Sequence, residues 1–185
     1  MSGSFDPAAL GQQLKGQEGI PPLEKWNPEF CGDIDMRIAR DGRWYYQGSP
    51  IGREAMVKMF SRVLWKEGDQ YFLKTPVEKV GIQVDDVPFQ VVDVEHAKGE
   101  QGVELIFTTS TGDRVRADAE HPIRVEIDPE TKEPSPYLMI RFGMEGLIGR
   151  NLFYQLVELA RMVKHKHGTE LVVDSAGETF SLGEL

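Results

Sequence analysis

A single cysteine, Cys31, leaves the chain unable to form an intrachain disulfide framework, and a four-ligand zinc site would need rare all-histidine and carboxylate ligation. A lone thiol suits a reducing compartment. No stretch approaches the roughly 20 apolar residues that a membrane-spanning helix requires. The start, Met1-Ser2-Gly3-Ser4-Phe5-Asp6-Pro7, lacks the basic residues and apolar run of a secretory signal. A cytoplasmic location without a membrane partner is the expectation. Positive charge is also in short supply: 21 Lys and Arg against 30 Asp and Glu give a net charge of −9. That excludes general nucleic-acid binding through a broad positive field, while leaving room for a local basic pocket that takes one small anion.

What is present is ordinary globular material, 40% hydrophobic and 28% charged over 185 residues, enough for one large or two small domains. Asp6-Pro7 ahead of Leu10 and Leu14 predicts a short capped helix, ended by Gly16, Gly19, Pro21 and Pro22 within an N-terminal arm over residues 1–32. Alternation from Ile34 to Ala39, the Asp41-Gly42 pair and Trp44-Tyr45-Tyr46 predict a hairpin with both central residues at positive φ. Met56, Met59, Phe60, Val63 and Leu64 share one helical face, so a helix is expected to run to Glu67-Gly68-Asp69. Strands are expected around Tyr71–Leu73 and Val80–Val84, then in a strand-rich stretch at 89–94, 103–108, 114–117, 123–127 and 137–142. A second amphipathic helix carries Leu152, Phe153, Leu156, Leu159, Ala160 and Val163, with Lys164, His165, Lys166 and His167 placed to suit the dipole of its last turn. A closing hairpin turns at Ser175-Ala176-Gly177.

One tripeptide occurs twice, as Ile51-Gly52-Arg53 and Ile148-Gly149-Arg150, each after a strand and a glycine-containing break and each before an amphipathic helix. The shared order of elements points to a duplicated strand–turn–helix–strand core in an α+β chain, with residues 33–86 as the first unit and 87–185 as a larger second one. The run from Asp33 to Val92 contains Asp-Gly-Arg-Trp, Ile-Gly-Arg-Glu, Leu-Lys-Thr-Pro-Val-Glu-Lys-Val and Asp-Asp-Val-Pro-Phe-Gln-Val-Val. In those motifs the chain resembles the bacterial family called domain of unknown function 1285, and the second Ile-Gly-Arg helix start extends the likeness over most of its length. The resemblance implies a second domain like a pleckstrin-homology barrel with one helix. It also implies a site for a nucleotide-like ligand between the domains and a part in stress-related signalling with a protein partner.

The candidate site follows from the two helix starts. A helix N-terminus offers free N–H groups and partial positive charge, glycine lets a ligand approach, and Arg53 and Arg150 supply forks that match phosphate. The opposing reading is a tight turn and a structural ion pair, and Glu54 and Glu145 add negative charge nearby. Tyr45 lies on the strand face opposite Trp44 and Tyr46, where it could stack on a base or pack beneath the arm. Lys74 and Thr75, in the connection Lys74-Thr75-Pro76-Val77-Glu78-Lys79, join the site on the strength of the resemblance. Gly143-x-x-Gly146-x-x-Gly149 departs from both the dinucleotide and P-loop spacings and reads as a flexible turn. Glu120-His121 and Glu95-His96 pair acid with imidazole, but neighbours on a strand point to opposite faces and do not orient one another. Spacing by two keeps His165 and His167 off a common helix face, and Asp33/Asp35 and Asp85/Asp86 read as solvated acids, so no metal site is expected. The expectation is a non-enzymatic ligand-binding or sensory protein for a small anionic ligand, with no catalytic residue assigned. A protein-interaction module without a small ligand, or more weakly a hydrolase using His121, is the alternative.

Overall fold

The computed structural model describes residues 5–14, 16 and 19–185. The expected arm and signal-free start include Met1–Ser4, Lys15, Gln17 and Glu18, which lie outside the described residues. The structure is an α+β chain, mostly β, in two units, Met1–Pro88 and Phe89–Leu185.

In the first unit, helix α1 (Pro7–Gln13) begins as the sequence dictates: the Asp6 carboxylate accepts the Ala8 N–H at 3.0 Å and proline occupies the first turn. Strands β1 (Phe30–Ile38), β2 (Trp44–Tyr46) and β3 (Ser49–Pro50) precede helix α2 (Glu54–Ser61), and the meander β4 (Leu64–Glu67), β5 (Gln70–Lys74) and β6 (Lys79–Val84) follows it. All six strands join one sheet in the order β3-β2-β1-β6-β5-β4. The central pairing of β1 with β6 is parallel, and every other pairing is antiparallel. Phe60 of α2 is 1% exposed, stacks on Trp44 at 6.1 Å between ring centroids and meets Phe5 of the arm at 6.0 Å. Burying such a ring stabilises by about 1.5–3 kcal/mol.

Two expectations change here. Helix α2 stops at Ser61 rather than near Glu67, because Leu64 pairs with Leu73 and Trp65 with Phe72 in a hairpin. Phe60, Val63 and Leu64 are all buried, so they mimic a helical stripe across a helix–strand junction. The Asp41-Gly42 hairpin exists, but only Gly42 has positive φ (91°), and its N–H bonds the Ala39 carbonyl at 2.9 Å. That is a type I turn followed by a left-handed glycine, the three-residue hairpin loop rather than the two-residue one.

The second unit holds β7 (Phe89–Gly99), β8 (Gly102–Thr109), β9 (Arg114–Arg116), β10 (Ile123–Ile127), β11 (Pro134–Arg141) and β12 (Met144–Ile148), then helix α3 (Arg150–Leu159). Those six strands form a sheet ordered β10-β11-β12-β7-β8-β9, with a parallel pairing of β12 to β7 at its centre. Gly146 in β12 fits that seam closely: a Cβ there would stand 2.9 Å from a Val91 methyl and 3.2 Å from the Phe89 Cβ. The glycine series is therefore structural in its middle member, and Met144–Ile148 is a strand where the sequence suggested a flexible turn. Strands β13 (Arg161–His165), β14 (Gly168–Ser175) and β15 (Glu178–Glu184) form a separate three-stranded sheet. The fully buried Ser175 hydroxyl accepts from the Leu105 N–H (2.9 Å) and donates to the Ala117 carbonyl (2.7 Å), tying β14 to β8 and to the end of β9.

The expected closed barrel is not formed. The hydrogen-bonded strands of the described residues make two open sheets in this unit, because the β13–β15 meander pairs only with itself. Helix α3 also ends early, at Leu159, where Ala160 turns extended (ψ 153°). Its last turn carries no basic residue; Lys164 to His167 sit instead on an exposed hairpin.

Candidate functional site

Both Ile-Gly-Arg tripeptides stand at helix starts, as expected. Arg53 is the N-cap residue of α2, and Gly149 is that of α3 with Arg150 as the first helical residue. Neither N-terminus has a side-chain cap, which leaves first-turn N–H groups without an intrahelical partner. Both arginines are exposed, and among the described residues neither makes an ion pair or a side-chain hydrogen bond.

The two N-termini differ electrostatically. Glu54 occupies the first turn of α2, whereas the first turn of α3 holds no acid. Glu145, which weighed against the second of them, is neutralised: Arg124 grips it through Nε at 2.7 Å and Nη2 at 2.8 Å. An open hollow of about 280 Å³ lies between Gln90–Val92 of β7 and Gly149–Leu152 at the start of α3. Gly149 anchors that corner by donating its N–H to the Val91 carbonyl at 3.3 Å.

The other three candidates are held differently. Tyr45 is half-buried, and its ring is capped by the Arg37 guanidinium at 5.0 Å to the centroid; Arg53 makes no contact of this kind with it. Thr75 is 3% exposed, and its hydroxyl is spent on the turn it opens, accepting from the Val77 and Glu78 N–H groups at 3.3 and 3.1 Å. Lys74 is 5% exposed, with Nζ 3.9 Å from the centroid of the Trp65 ring. Burial pushes its amine below the ordinary lysine value, opposed by the pull of Glu67. The expected helix to Glu67 would have included Trp65, and only the β4–β5 register, in which it pairs with Phe72, brings it beside Lys74.

A further arrangement has no counterpart in the sequence pattern. His121 Nδ1 lies 2.8 Å from Asp118 Oδ1, three residues upstream in a turn rather than adjacent in a strand. The same oxygen accepts the Glu120 and His121 N–H groups at 3.0 and 2.8 Å, and Arg116 bonds the other oxygen at 3.3 Å. Burial works to raise the Asp118 pKa, but the His121 ring and N–H and the Arg116 guanidinium together hold it below the usual carboxylate range. The result is a carboxylate-oriented imidazole of the kind used in general-base chemistry. Among the described residues, no cluster of three or more His, Cys, Asp or Glu side chains could hold a metal, and no helix is long and apolar enough to cross a membrane.

Family models for the N-terminal domain of a domain of unknown function (DUF1285) and for the C-terminal domain of the same family match residues 21–87 and 88–182. A crystal structure of a DUF1285 family protein from Silicibacter pomeroyi DSS-3 is 46% identical, covers 99% of this chain and 97% of its own, and has a TM-score of 0.87. A DUF1285 family protein from Shewanella baltica OS155 is 32% identical over 66% of this chain and 90% of its own, with a TM-score of 0.53. No curated protein matches the sequence.

Proposed function

The chain belongs to the DUF1285 family, and from that premise we propose that it is a non-enzymatic binding protein for a small anionic, nucleotide-like ligand held at the start of α3. The observation that carries this reading is the combination there of an unengaged Arg150, an uncapped helix N-terminus free of first-turn acids, and an adjoining hollow. At about 280 Å³ the hollow falls just under the range of roughly 300–1,000 Å³ typical of clefts that enclose drug-sized ligands. It suits a phosphate-bearing head, with the remainder of the ligand left outside. The start of α2, where Arg53 stands, repeats this arrangement in the first unit but is weakened by Glu54 in its first turn. Occupancy would be relayed to a protein partner in signalling.

The repeated order of glycine–arginine corner, helix and three-stranded meander supports an origin by duplication, with the second copy elaborated into the larger, pleckstrin-like unit. The test is differential scanning fluorimetry with nucleoside mono-, di- and triphosphates and inorganic phosphate. Arg150→Ala is expected to abolish the ligand-dependent rise in Tm, and Arg53→Ala is expected to leave most of it. Absence of any rise, or equal rises in wild type and Arg150→Ala, sinks the reading.

The Asp118–His121 pair supports a second reading as a hydrolase. Turnover of p-nitrophenyl esters or a phosphodiester that is lost in both His121→Ala and Asp118→Asn would favour it over simple binding.

A further inference from the structure

Strand β13 is the outer edge of the three-stranded sheet, hydrogen-bonded to β14 on one side only. Among the described residues its backbone makes no hydrogen bond outside that ladder, so its other side presents N–H and C=O groups that an added strand could pair. All of its residues but Val163 are exposed, Met162 at 67%. Charge gathers here against the trend of the unit. Residues 89–185 hold 10 Lys and Arg against 17 Asp and Glu, yet three of those cations, Arg161, Lys164 and Lys166, fall within six residues, interleaved with His165 and His167. Arg161 is held by Asp174 at 2.7 Å and His165 stands 3.5 Å from Glu170, whereas Lys164 and Lys166 pair with no described acid. Side chains alternate along a strand, so Met162 and Lys164 share a face, about 7 Å apart.

We propose that the open edge of β13 is a docking strand for an extended acidic peptide, which adds to the sheet through its backbone and sets an acid against Lys164 and an apolar side chain against Met162. The pleat fixes the partner's pattern: its acid and its apolar residue stand two apart, on one face. A second copy of this chain fits poorly. Two β13 strands paired antiparallel about Val163 would set Arg161 against His165 and Lys164 against Met162, and each unit brings the same negative excess. Basic residues on the edge thus discourage self-pairing while admitting a partner of opposite sign. A nucleic-acid phosphate backbone would answer the charge, but it has no N–H groups to give the strand's carbonyls. The edge needs no anion at the start of α3, so either reading can fail alone.

The experiment follows fluorescence polarisation of a labelled peptide, Gly-Thr-Glu-Thr-Val-Thr-Glu-Thr-Gly, titrated with the full chain at low salt. Saturable binding is expected, weakened about tenfold in Lys164→Glu and unchanged in Lys98→Glu, an exposed lysine of the β7–β8 hairpin. Both variants should keep the wild-type Tm. The isomer Gly-Thr-Glu-Val-Thr-Thr-Glu-Thr-Gly, which moves the valine to the other face, should bind more weakly. Of two peptides N-methylated on alternate residues, one should fail to bind. A variant-free arm measures amide hydrogen exchange on wild type, where the peptide should slow exchange within Arg161–His165. No binding at about 1 mM peptide, undiminished binding of both N-methylated forms, displacement by oligothymidylate as effective as by unlabelled peptide, or protection confined to other strands overturns the proposal.

Discussion

At the scale of single residues, the buried Lys74 leaves a signature in stability. Its folded-state pKa is lowered by burial, so the unfolded chain binds more protons in the window below the unfolded value of roughly 10.4. Stability from this group is complete above that pH and is lost as pH falls through the folded pKa. Lys74→Met is expected to raise Tm at pH 7, with the gain over wild type shrinking as pH nears roughly 10.4; a constant gain across that range would contradict the assignment. Phe60→Ala, which empties a site shared by Trp44 and Phe5, should cost about 3–5 kcal/mol in urea unfolding. The unengaged state of Arg53 and Arg150 follows from the sequence only in part. Their positions at helix starts are written in the repeated tripeptide, but the capture of Glu145 by Arg124, 21 residues earlier in the sequence, is not. Pairing across a sheet has no signature in local spacing. The Asp118–His121 contact is illegible for a related reason: assigning His121 to strand alternation hides a turn in which residues three apart meet.

Among the elements, the hairpins are the most instructive. Three two-residue turns, Gln47-Gly48, Phe142-Gly143 and Ala176-Gly177, have positive φ at both central residues, and none begins with the Asn or Asp that usually announces that geometry. The chain's Asp-Gly pair makes a different turn. Glycine marks the location of each bend, but the strain at the residue before it is invisible in the sequence. Exposed Gln47, at φ 52°, is thus an improvable position. Gln47→Asn should stabilise by about 0.5–1 kcal/mol, because Asn tolerates the left-handed region; a fall in Tm would show that the side chain contributes more than its backbone costs. The opposite result is expected at Gly146, where any side chain meets Val91 and Phe89 across the parallel seam. Gly146→Val should destabilise by about 1–3 kcal/mol through overpacking, read as a lower urea midpoint. Both amphipathic helices end earlier than their sequence pattern suggests, and the cause is shared. Apolar strand residues soon after a helix prolong its stripe, and only their distant partners, such as Leu73 for Leu64, reveal the change of element.

Over the whole molecule, charge is unevenly divided. The first unit carries 11 Lys and Arg against 13 Asp and Glu, a net −2, and the second carries 10 against 17, a net −7. The anion binding proposed at Arg150 would act at short range, inside a repulsive far field, and its association rate should rise as salt screens that field. The same excess acts on the fold. A fragment spanning residues 89–185, which has its own buried core in Leu105, Phe107, Leu138, Ile148 and Leu156, should fold cooperatively. Its Tm should climb more with added sodium chloride than that of a 1–88 fragment. Equal salt responses would show that like-charge repulsion is relieved by local pairs such as Arg161–Asp174 and Arg114–Glu95.

The parallel contact of β1 with β6 also sets a timetable. The first strand of that sheet leaves the ribosome with one edge covered by its own hairpin, while its other neighbour is the last of the six to be synthesised. Until then the nascent sheet stays split along its midline, with an open flank on each half. Closure of the loop between them is the slow, non-local event. Interruption of translation before Lys79 would release a chain whose unsatisfied edge invites pairing with another copy of itself.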